Sequence, residues 1–169
     1  MKLTIIKSFL LAALVVTSFA CKDDLEYGPL VRDNRPAVPV TFPGATTFGG
    51  NPFIEVSTSG SGAIKFTLSI PESSGRTIKE ITKVAAGATG INPASLNTAT
   101  SVFNTAPIVA NGTTATFETT LAAFKTKYPA VVTTPGTALA PREIAFIFLV
   151  TLDNGDQIVT QQVRARITP

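Results

Sequence analysis

The stretch REIAFIFLVTL at residues 142–152 decides the fold class. Every second residue is apolar, which is the period of a β-strand, and these five residues share one face: Ile144, Phe146, Phe148, Val150 and Leu152. The residues between them are mostly apolar as well, and a strand that is apolar on both faces is typical of the centre of a sheet. The stretch therefore predicts a central strand that is covered on both sides.

A turn signal and a second alternating run follow this strand. Asn154-Gly155 favours the positive φ angles that a type I′ turn requires at both central positions. Residues 157–168 then predict a return strand in which Arg164 and Arg166 face outward and the apolar residues between them face inward. The two runs together predict a β-hairpin.

Shorter runs precede the hairpin. Alternating residues predict strands at 53–57, 63–70 and 113–119, and apolar residues three apart at 76–84 predict a strand with a bulge. Residues 120–128 predict one short helix, which Thr119 or Thr120 caps and Pro129 ends. Asn92-Pro93 predicts a single helical turn with Asn92 as its N-cap.

Many short strands separated by close turn signals predict an all-β fold, and we expect an antiparallel β-sandwich at residues 40–169. This strand pattern resembles the immunoglobulin-like modules of surface lipoproteins. The Cys…Trp…Cys signature of immunoglobulins is missing, because the chain contains no Trp and its one Cys is Cys21. A different sandwich topology stays open.

Residues 1–20 have the three parts of a secretory signal peptide. Lys2 and Lys7 precede an apolar run at 9–16, and small residues stand at 18 and 20, directly before Cys21. A membrane-spanning helix needs about 20 apolar residues, and this run is about half as long. Cys21 is the one cysteine of the chain, so it cannot form an internal disulfide.

The segment that ends at Cys21 resembles the bacterial lipobox. The resemblance implies cleavage before Cys21 and attachment of two or three acyl chains to it. Lipoboxes usually carry Leu where this chain has Ser18, so ordinary cleavage after Ala20, with a free thiol on Cys21, stays the alternative. Multiple chains anchor a protein stably, because each buried methylene contributes about 0.8 kcal/mol.

Three charged residues, Lys22, Asp23 and Asp24, follow the proposed anchor. They resemble the export signal of surface lipoproteins in Bacteroidota-type bacteria, which implies an outer-membrane lipoprotein exposed at the cell surface. The alternative is a hydrated, charged start to a tether. Residues 21–39 lack apolar periodicity and are rich in Pro and Gly, so they predict a flexible tether.

The charge of the chain argues against a nucleic-acid partner. The net charge of +3 includes Lys2 and Lys7 of the predicted signal peptide, and twelve basic residues then face eleven acidic ones. The sequence has no basic stripe with interleaved aromatic residues, which would be typical of a nucleic-acid-binding surface. We therefore expect contact with the membrane through the lipid anchor, and no nucleic-acid binding.

The residue inventory argues against catalysis. The chain has no histidine, which excludes Ser-His-Asp and Cys-His sites and histidine ligands for zinc. The carboxylates are scattered rather than paired. Asp153 and Asp156 are a weak calcium candidate, because a tight hairpin needs no ion. We expect no enzyme activity, no cofactor and no metal site.

The long segment at 85–112 is the candidate binding region, because connections of that length are commonly functional or disordered. Asn92, Phe103 and Asn104 are its candidate binding residues, which would suit a protein or glycan partner. Phe103 either contacts that partner or anchors the loop. The alternatives are that the segment only covers an open sheet edge, that the protein is a purely structural envelope lipoprotein, or that it is a hydrolase.

Overall fold

The structure is a computed structural model that describes residues 36–47 and 50–169. The described chain from Ala37 to Pro169 forms one unit, which contains all the elements below. The predicted signal peptide, the lipidation residue Cys21, the export residues Lys22, Asp23 and Asp24, and most of the predicted tether lie outside the described residues.

Strands dominate the described chain. Its strands are β1 Phe53–Ser57, β2 Ala63–Ser69, β3 Ile78–Ala88, β4 Ile108–Val109, β5 Thr114–Thr120, β6 Arg142–Leu152, β7 Gln157–Val159 and β8 Val163–Thr168. Its helices are the 3₁₀ turns η1 Glu72–Ser74 and η2 Pro93–Asn97, and the α-helix α1 Leu121–Lys127. The all-β class that the sequence predicts is confirmed.

The strands form two sheets. One has six strands, in the order β1-β8-β6-β3-β4 with β7 also paired to β6, and the other is the pair β2-β5. β1 and β8 run parallel, so the larger sheet is mixed and the purely antiparallel arrangement is wrong. Sequence alternation shows which face of a strand is buried and carries no information on the direction of its neighbour. The immunoglobulin-like sandwich stays a prediction, although the order β8-β6-β3-β4 is compatible with it.

The core lies between the two sheets and is rich in phenylalanine. Phe146 and Phe148 of β6 are fully buried. Phe66 of β2 lies 5.2 Å from Phe146 between ring centroids, and Phe117 of β5 lies 5.6 Å from Phe148. On the opposite face of β6, Ile147 is buried too. The prediction of a central strand covered on both sides is therefore confirmed.

The hairpin after β6 has a different turn from the predicted type I′. Asn154 does not adopt a positive φ, whereas Gly155 does, at 89°. The Gly155 amide donates to the carbonyl oxygen of Leu152 at 3.1 Å. A three-residue loop of this kind combines a type I turn with a glycine bulge, which needs only one left-handed residue.

The predicted return strand is broken into β7 and β8. The amide of Thr160 donates to the carbonyl oxygen of Phe148 at 2.9 Å, and the Thr160 hydroxyl accepts from the Phe148 amide at 3.0 Å. The hydroxyl replaces a main-chain carbonyl, and one extra residue shifts the register between β7 and β8. Val163 and Ala165 are buried in β8, as the sequence predicts.

β3 contains the predicted bulge and is longer than expected. Its register to β6 shifts between Ile78 and Glu80 and again between Ile81 and Lys83. The strand continues to Ala88, because it pairs with β6 as far as Ile144. The candidate segment 85–112 therefore begins inside a strand, and the irregular connection between β3 and β4 is 89–107.

The short helix predicted at 120–128 is confirmed as α1. The Thr120 hydroxyl caps it by accepting from the amide of Ala123 at 3.1 Å. Phe124 of α1 is fully buried and packs in the core. Within the described ranges, no helix combines the length and the apolar character that crossing a bilayer requires.

The chain enters the domain at the end that holds the β6-β7 hairpin. Thr41 and Ser69 exchange two hydrogen bonds of 2.8 and 2.9 Å as an antiparallel bridge, so the residues before Thr41 run past the end of β2. β3 begins at the same end, where Ile78 pairs with Leu152. The connections after β3 and β5, which carry η2 and α1, start from the opposite end.

Candidate functional site

The connection 89–107 turns back along the edge of β3. The amide of Phe103 donates to the carbonyl oxygen of Val84 at 2.7 Å, and the amide of Ala86 donates to the carbonyl oxygen of Ser101 at 3.0 Å. These bonds continue the sheet at an edge that would otherwise be open. The segment therefore covers a sheet edge, which is one of the two roles that the sequence left open.

The side chain of Asn104 completes this edge at the bulge of β3. Its Oδ1 accepts from the amide of Val84 at 2.7 Å, and its Nδ2 donates to the carbonyl oxygens of Thr82 at 3.2 Å and Ala106 at 2.8 Å. A bulge leaves main-chain groups without a strand partner, and the carboxamide supplies both an acceptor and a donor there. These bonds fix Asn104 and the chain beside it.

Asn92 caps η2, as the sequence predicts. Its side chain accepts from the amide of Ala94 at 3.0 Å, and its own amide donates to the hydroxyl of Ser95 at 3.2 Å. The capped turn places Leu96 in a small cluster with Ala85 of β3 and Ile147 of β6. Asn92 therefore holds a turn over the outer face of the six-stranded sheet.

Phe103 is half-buried and packs against aromatic rings. Its ring lies edge-on to Phe117 at 5.7 Å and 6.2 Å from the ring of Tyr128. The Tyr128 hydroxyl donates to the carbonyl oxygen of Ser101 at 2.8 Å. Burial raises the pKa of Tyr128 to about 12. These contacts fasten the connection to the end of α1.

A pocket opens where this connection, β3 and α1 meet, and we call it the lysine pocket. Its volume is about 360 Å³. It is lined by Lys83, Leu96, Asn97, Ala99, Val102, Asn104 and Lys127. Of the three candidate residues from the sequence, Asn104 lines the pocket, whereas Asn92 and Phe103 support the surrounding backbone. A binding role for these three residues stays a prediction.

Two lysines, Lys83 and Lys127, line the lysine pocket. The Lys83 Nζ donates to the carbonyl oxygen of Leu96 at 3.3 Å, which leaves it further donors. Within residues 36–47 and 50–169, neither Lys83 nor Lys127 forms a salt bridge. No carboxylate is among the residues that line the pocket. The pocket is therefore positively charged and rich in hydrogen-bond donors.

A second concavity lies beside the loop before β6, and we call it the 136–141 groove. Its volume is about 470 Å³. It is lined by Glu55, Gly136, Thr137, Ala138, Pro141, Arg166, Ile167, Thr168 and Pro169. Thr137 and Ala140 exchange main-chain hydrogen bonds of 3.1 and 3.2 Å, and Leu139 at the tip between them is 99% exposed.

Gly136 is required where this loop approaches β6. A Cβ at this position would lie 2.3 Å from the carbonyl oxygen of Ala140 and 2.5 Å from the amide nitrogen of Arg142. Main-chain atoms cannot move aside as a flexible side chain can. Only glycine therefore allows the loop to approach β6 this closely, along one wall of the groove.

A charged cluster lies on the outer face of the six-stranded sheet, and no sequence pattern predicted it. Glu143 accepts from Arg164 at 2.7 Å and from Arg166 at 2.9 Å, and the Arg166 guanidinium lies 3.7 Å over the ring of Phe53. Burial raises the pKa of Glu143, but the hydrogen bonds and charges of the two arginines outweigh it and lower that pKa below its ordinary value. Glu143 therefore stays charged.

Asp153 and Asp156, the weak calcium candidate, lie in the turn between β6 and β7, and hydrogen bonds within the turn hold Asp156. The Asn154 side chain donates to the carboxylate of Asp156 at 2.7 Å and accepts from the Asp156 amide at 3.1 Å. In the part of the chain that the structure describes, no three histidine, cysteine or acidic side chains cluster as metal ligands would.

No protein-family model matches the chain, and no curated protein is significantly similar to it. Its proposed function therefore rests on its own residues and their geometry.

Proposed function

We propose that this protein is a surface lipoprotein of a Bacteroidota-type outer membrane and binds a partner without catalysis. The domain after the tether is the binding module, and the partner is a glycan or a protein. The lipid anchor on Cys21 holds the module at the cell surface.

The N-terminal sequence supports the location. A signal-like segment leads directly to Cys21, and Lys22, Asp23 and Asp24 follow it in the manner of a surface-export signal. The chain enters the described domain beside Ser69, at the end away from the start of the 89–107 connection.

The lysine pocket is the observation that carries the binding role. A long connection usually costs conformational entropy when it orders around a ligand. Here the bonds of Asn104 and Tyr128 have already ordered it. A preformed concavity with a few fixed polar groups is the usual character of a binding site.

A purely structural envelope lipoprotein is the second candidate function. The edge-covering bonds of Phe103 and Asn104 favour it, because they explain the connection without any ligand. They do not explain, however, why Lys83 and Lys127 line one pocket that has no carboxylate among its lining residues. The binding function therefore accounts for more of the site.

Two measurements test the location. Cys21→Ala should move the protein from the detergent phase to the aqueous phase on partitioning. Replacing Asp23 and Asp24 by Ala should keep the anchor and abolish cleavage by protease added to whole cells. If Cys21→Ala still partitions with detergent, or if the double variant is cleaved as fast as the wild type, the corresponding part of the proposal is wrong.

A pair of matched substitutions tests the binding role. Ala99 and Ala138 are both exposed, and each lines one of the two concavities. Ala99→Trp fills the lysine pocket, and Ala138→Trp fills the 136–141 groove. Partners captured from intact envelopes should be lost with Ala99→Trp and kept with Ala138→Trp, at equal melting temperatures. Unchanged capture with Ala99→Trp contradicts the proposal.

A further inference from the structure

We propose that the lysine pocket binds the anionic group, a carboxylate or a sulfate, of an acidic saccharide. The inference deepens the proposed binding function and depends on it. Lys83 and Lys127 would hold the anion, and the amide of Asn97 would donate to the sugar hydroxyls.

The two lysines come from separate elements that hydrogen bonds hold together, and both line the pocket. Lys83 follows the register shift in β3, and bulges of this kind redirect the side chains beside them. Lys127 ends α1, and the next residue, Tyr128, is bonded to Ser101 of the connection. The helix end and β3 are thus fixed on two sides of one pocket.

The charge of the pocket favours an anionic ligand. Two ammonium groups line about 360 Å³ without a carboxylate among the lining residues. Lys83 is only partly exposed, so its charge is screened less than that of a free surface lysine. Hydrogen bonds between ammonium and carboxylate or sulfate groups are charge-assisted and stronger than neutral ones.

The lining favours a saccharide over an acidic peptide. Peptide partners usually contribute or meet large apolar anchors. The large exposed apolar side chains of the described chain lie outside this pocket: Val109, Val132, Leu139 and Val159. Asn97, which lines the pocket, instead offers an uncharged carboxamide that matches the hydroxyls of a sugar ring. A volume of about 360 Å³ lies at the small end of ligand pockets.

The test measures binding of the full chain in detergent to four probes by calorimetry. Polygalacturonate and chondroitin sulfate carry carboxylate and sulfate groups, dextran is a neutral polysaccharide, and polyglutamate is an acidic peptide. We expect binding to at least one acidic polysaccharide, weakened by added salt, and none to dextran or polyglutamate. Equal binding of polyglutamate, or binding of dextran, overturns the inference.

Matched variants assign the binding to the pocket. Lys83→Gln combined with Lys127→Gln should lower the affinity on the order of tenfold or more per lysine, because each loses a hydrogen bond to a charged group. Arg76→Gln combined with Lys79→Gln removes the same charge from exposed positions outside the pocket and should have little effect. Equal losses with both pairs would indicate unspecific attraction and overturn the inference.

The outcome separates this inference from the binding function itself. If Ala99→Trp abolishes envelope capture and the two lysine substitutions leave it unchanged, the pocket binds a partner that is not anionic. In that case the proposed function stands and the acidic saccharide is excluded. If Ala99→Trp has no effect on capture or on polysaccharide binding, both fail.

Discussion

The hydroxyl of Tyr128 and the carbonyl oxygen of Ser101 lie 2.8 Å apart, and this bond joins the end of α1 to the connection between β3 and β4. The same carbonyl also accepts from the amide of Ala86 at 3.0 Å. One oxygen atom thus links the helix, the connection and the larger sheet. Lys127, which lines the lysine pocket, directly precedes Tyr128, so the bond holds the backbone from which the Lys127 side chain extends.

Tyr128→Phe should destabilise the protein modestly and weaken binding at the pocket. The variant keeps the ring contact with Phe103 and loses one hydrogen bond, which costs about 1 kcal/mol. The Ser101 carbonyl keeps its bond from Ala86. Urea unfolding checks the stability, with Tyr27→Phe as the control. A loss of several kcal/mol would show that the hydroxyl has a larger structural role.

A variant with Tyr128 as its only tyrosine should titrate unusually late. The chain has two tyrosines, so Tyr27→Phe leaves Tyr128 alone. Burial raises the pKa of Tyr128 to about 12, so its ultraviolet absorbance should change near pH 12 rather than near its ordinary value of 10.0. The stability that this shift represents is complete below pH 10 and is lost as the pH rises toward 12. A midpoint near pH 10 contradicts the burial.

Asn104→Ala should destabilise the protein more than Asn92→Ala does. The first removes three hydrogen bonds and leaves the Val84 amide without its acceptor, which costs about 2–3 kcal/mol. The second removes an exposed N-cap, which costs about 1 kcal/mol. Urea unfolding gives both values, and hydrogen exchange should be faster at Val84 in Asn104→Ala alone. The reverse order of stabilities would refute the role assigned to Asn104.

Glu143→Gln should reduce stability at neutral pH and not in acid. The carboxylate is 12% exposed and accepts from two arginines that are 29% and 30% exposed, so we expect a loss of about 1–2 kcal/mol. The pKa of Glu143 is lowered from 4.5, so this stability is complete above pH of about 5 and disappears as the pH falls below the folded-state pKa.

Unfolding of wild type and Glu143→Gln at pH 7 and at a series of decreasing acidic pH values measures this difference. The two stabilities should converge as the pH falls through the folded-state pKa of Glu143. Glu72→Gln, at an exposed position, is the control and should match the wild type throughout. A difference for Glu143→Gln that does not change with pH would mean that packing rather than charge is responsible.

The elements that the sequence predicts correctly depend on local patterns. The alternation of β6, the cap of α1 at Thr120 and the Asn92-Pro93 turn all involve residues close together in the chain. The break at Thr160 could not be predicted, because a hydroxyl replaces a main-chain carbonyl only in the presence of the opposite strand. The parallel pairing of β1 with β8 likewise joins the two ends of the domain.

The candidate site could be predicted only in outline. The length of the 85–112 segment indicated a special region, and Asn104 does line the lysine pocket. Lys83 and Lys127 are far apart in sequence, and each has an ordinary local explanation, on a strand and in the last turn of a helix. The elements that carry them are held together by long-range contacts such as the Tyr128–Ser101 bond, which no local pattern encodes.

Hydrogen–deuterium exchange with short oligosaccharides of galacturonate and of chondroitin sulfate, each in turn, tests most directly whether the lysine pocket binds an acidic saccharide. At least one saccharide should slow exchange at residues 96–104 and at the end of α1, because it covers the pocket between them. The same experiment on Ala99→Trp should show no protection. Protection confined to residues 136–141, or no protection by either saccharide at saturation, would contradict binding at the lysine pocket.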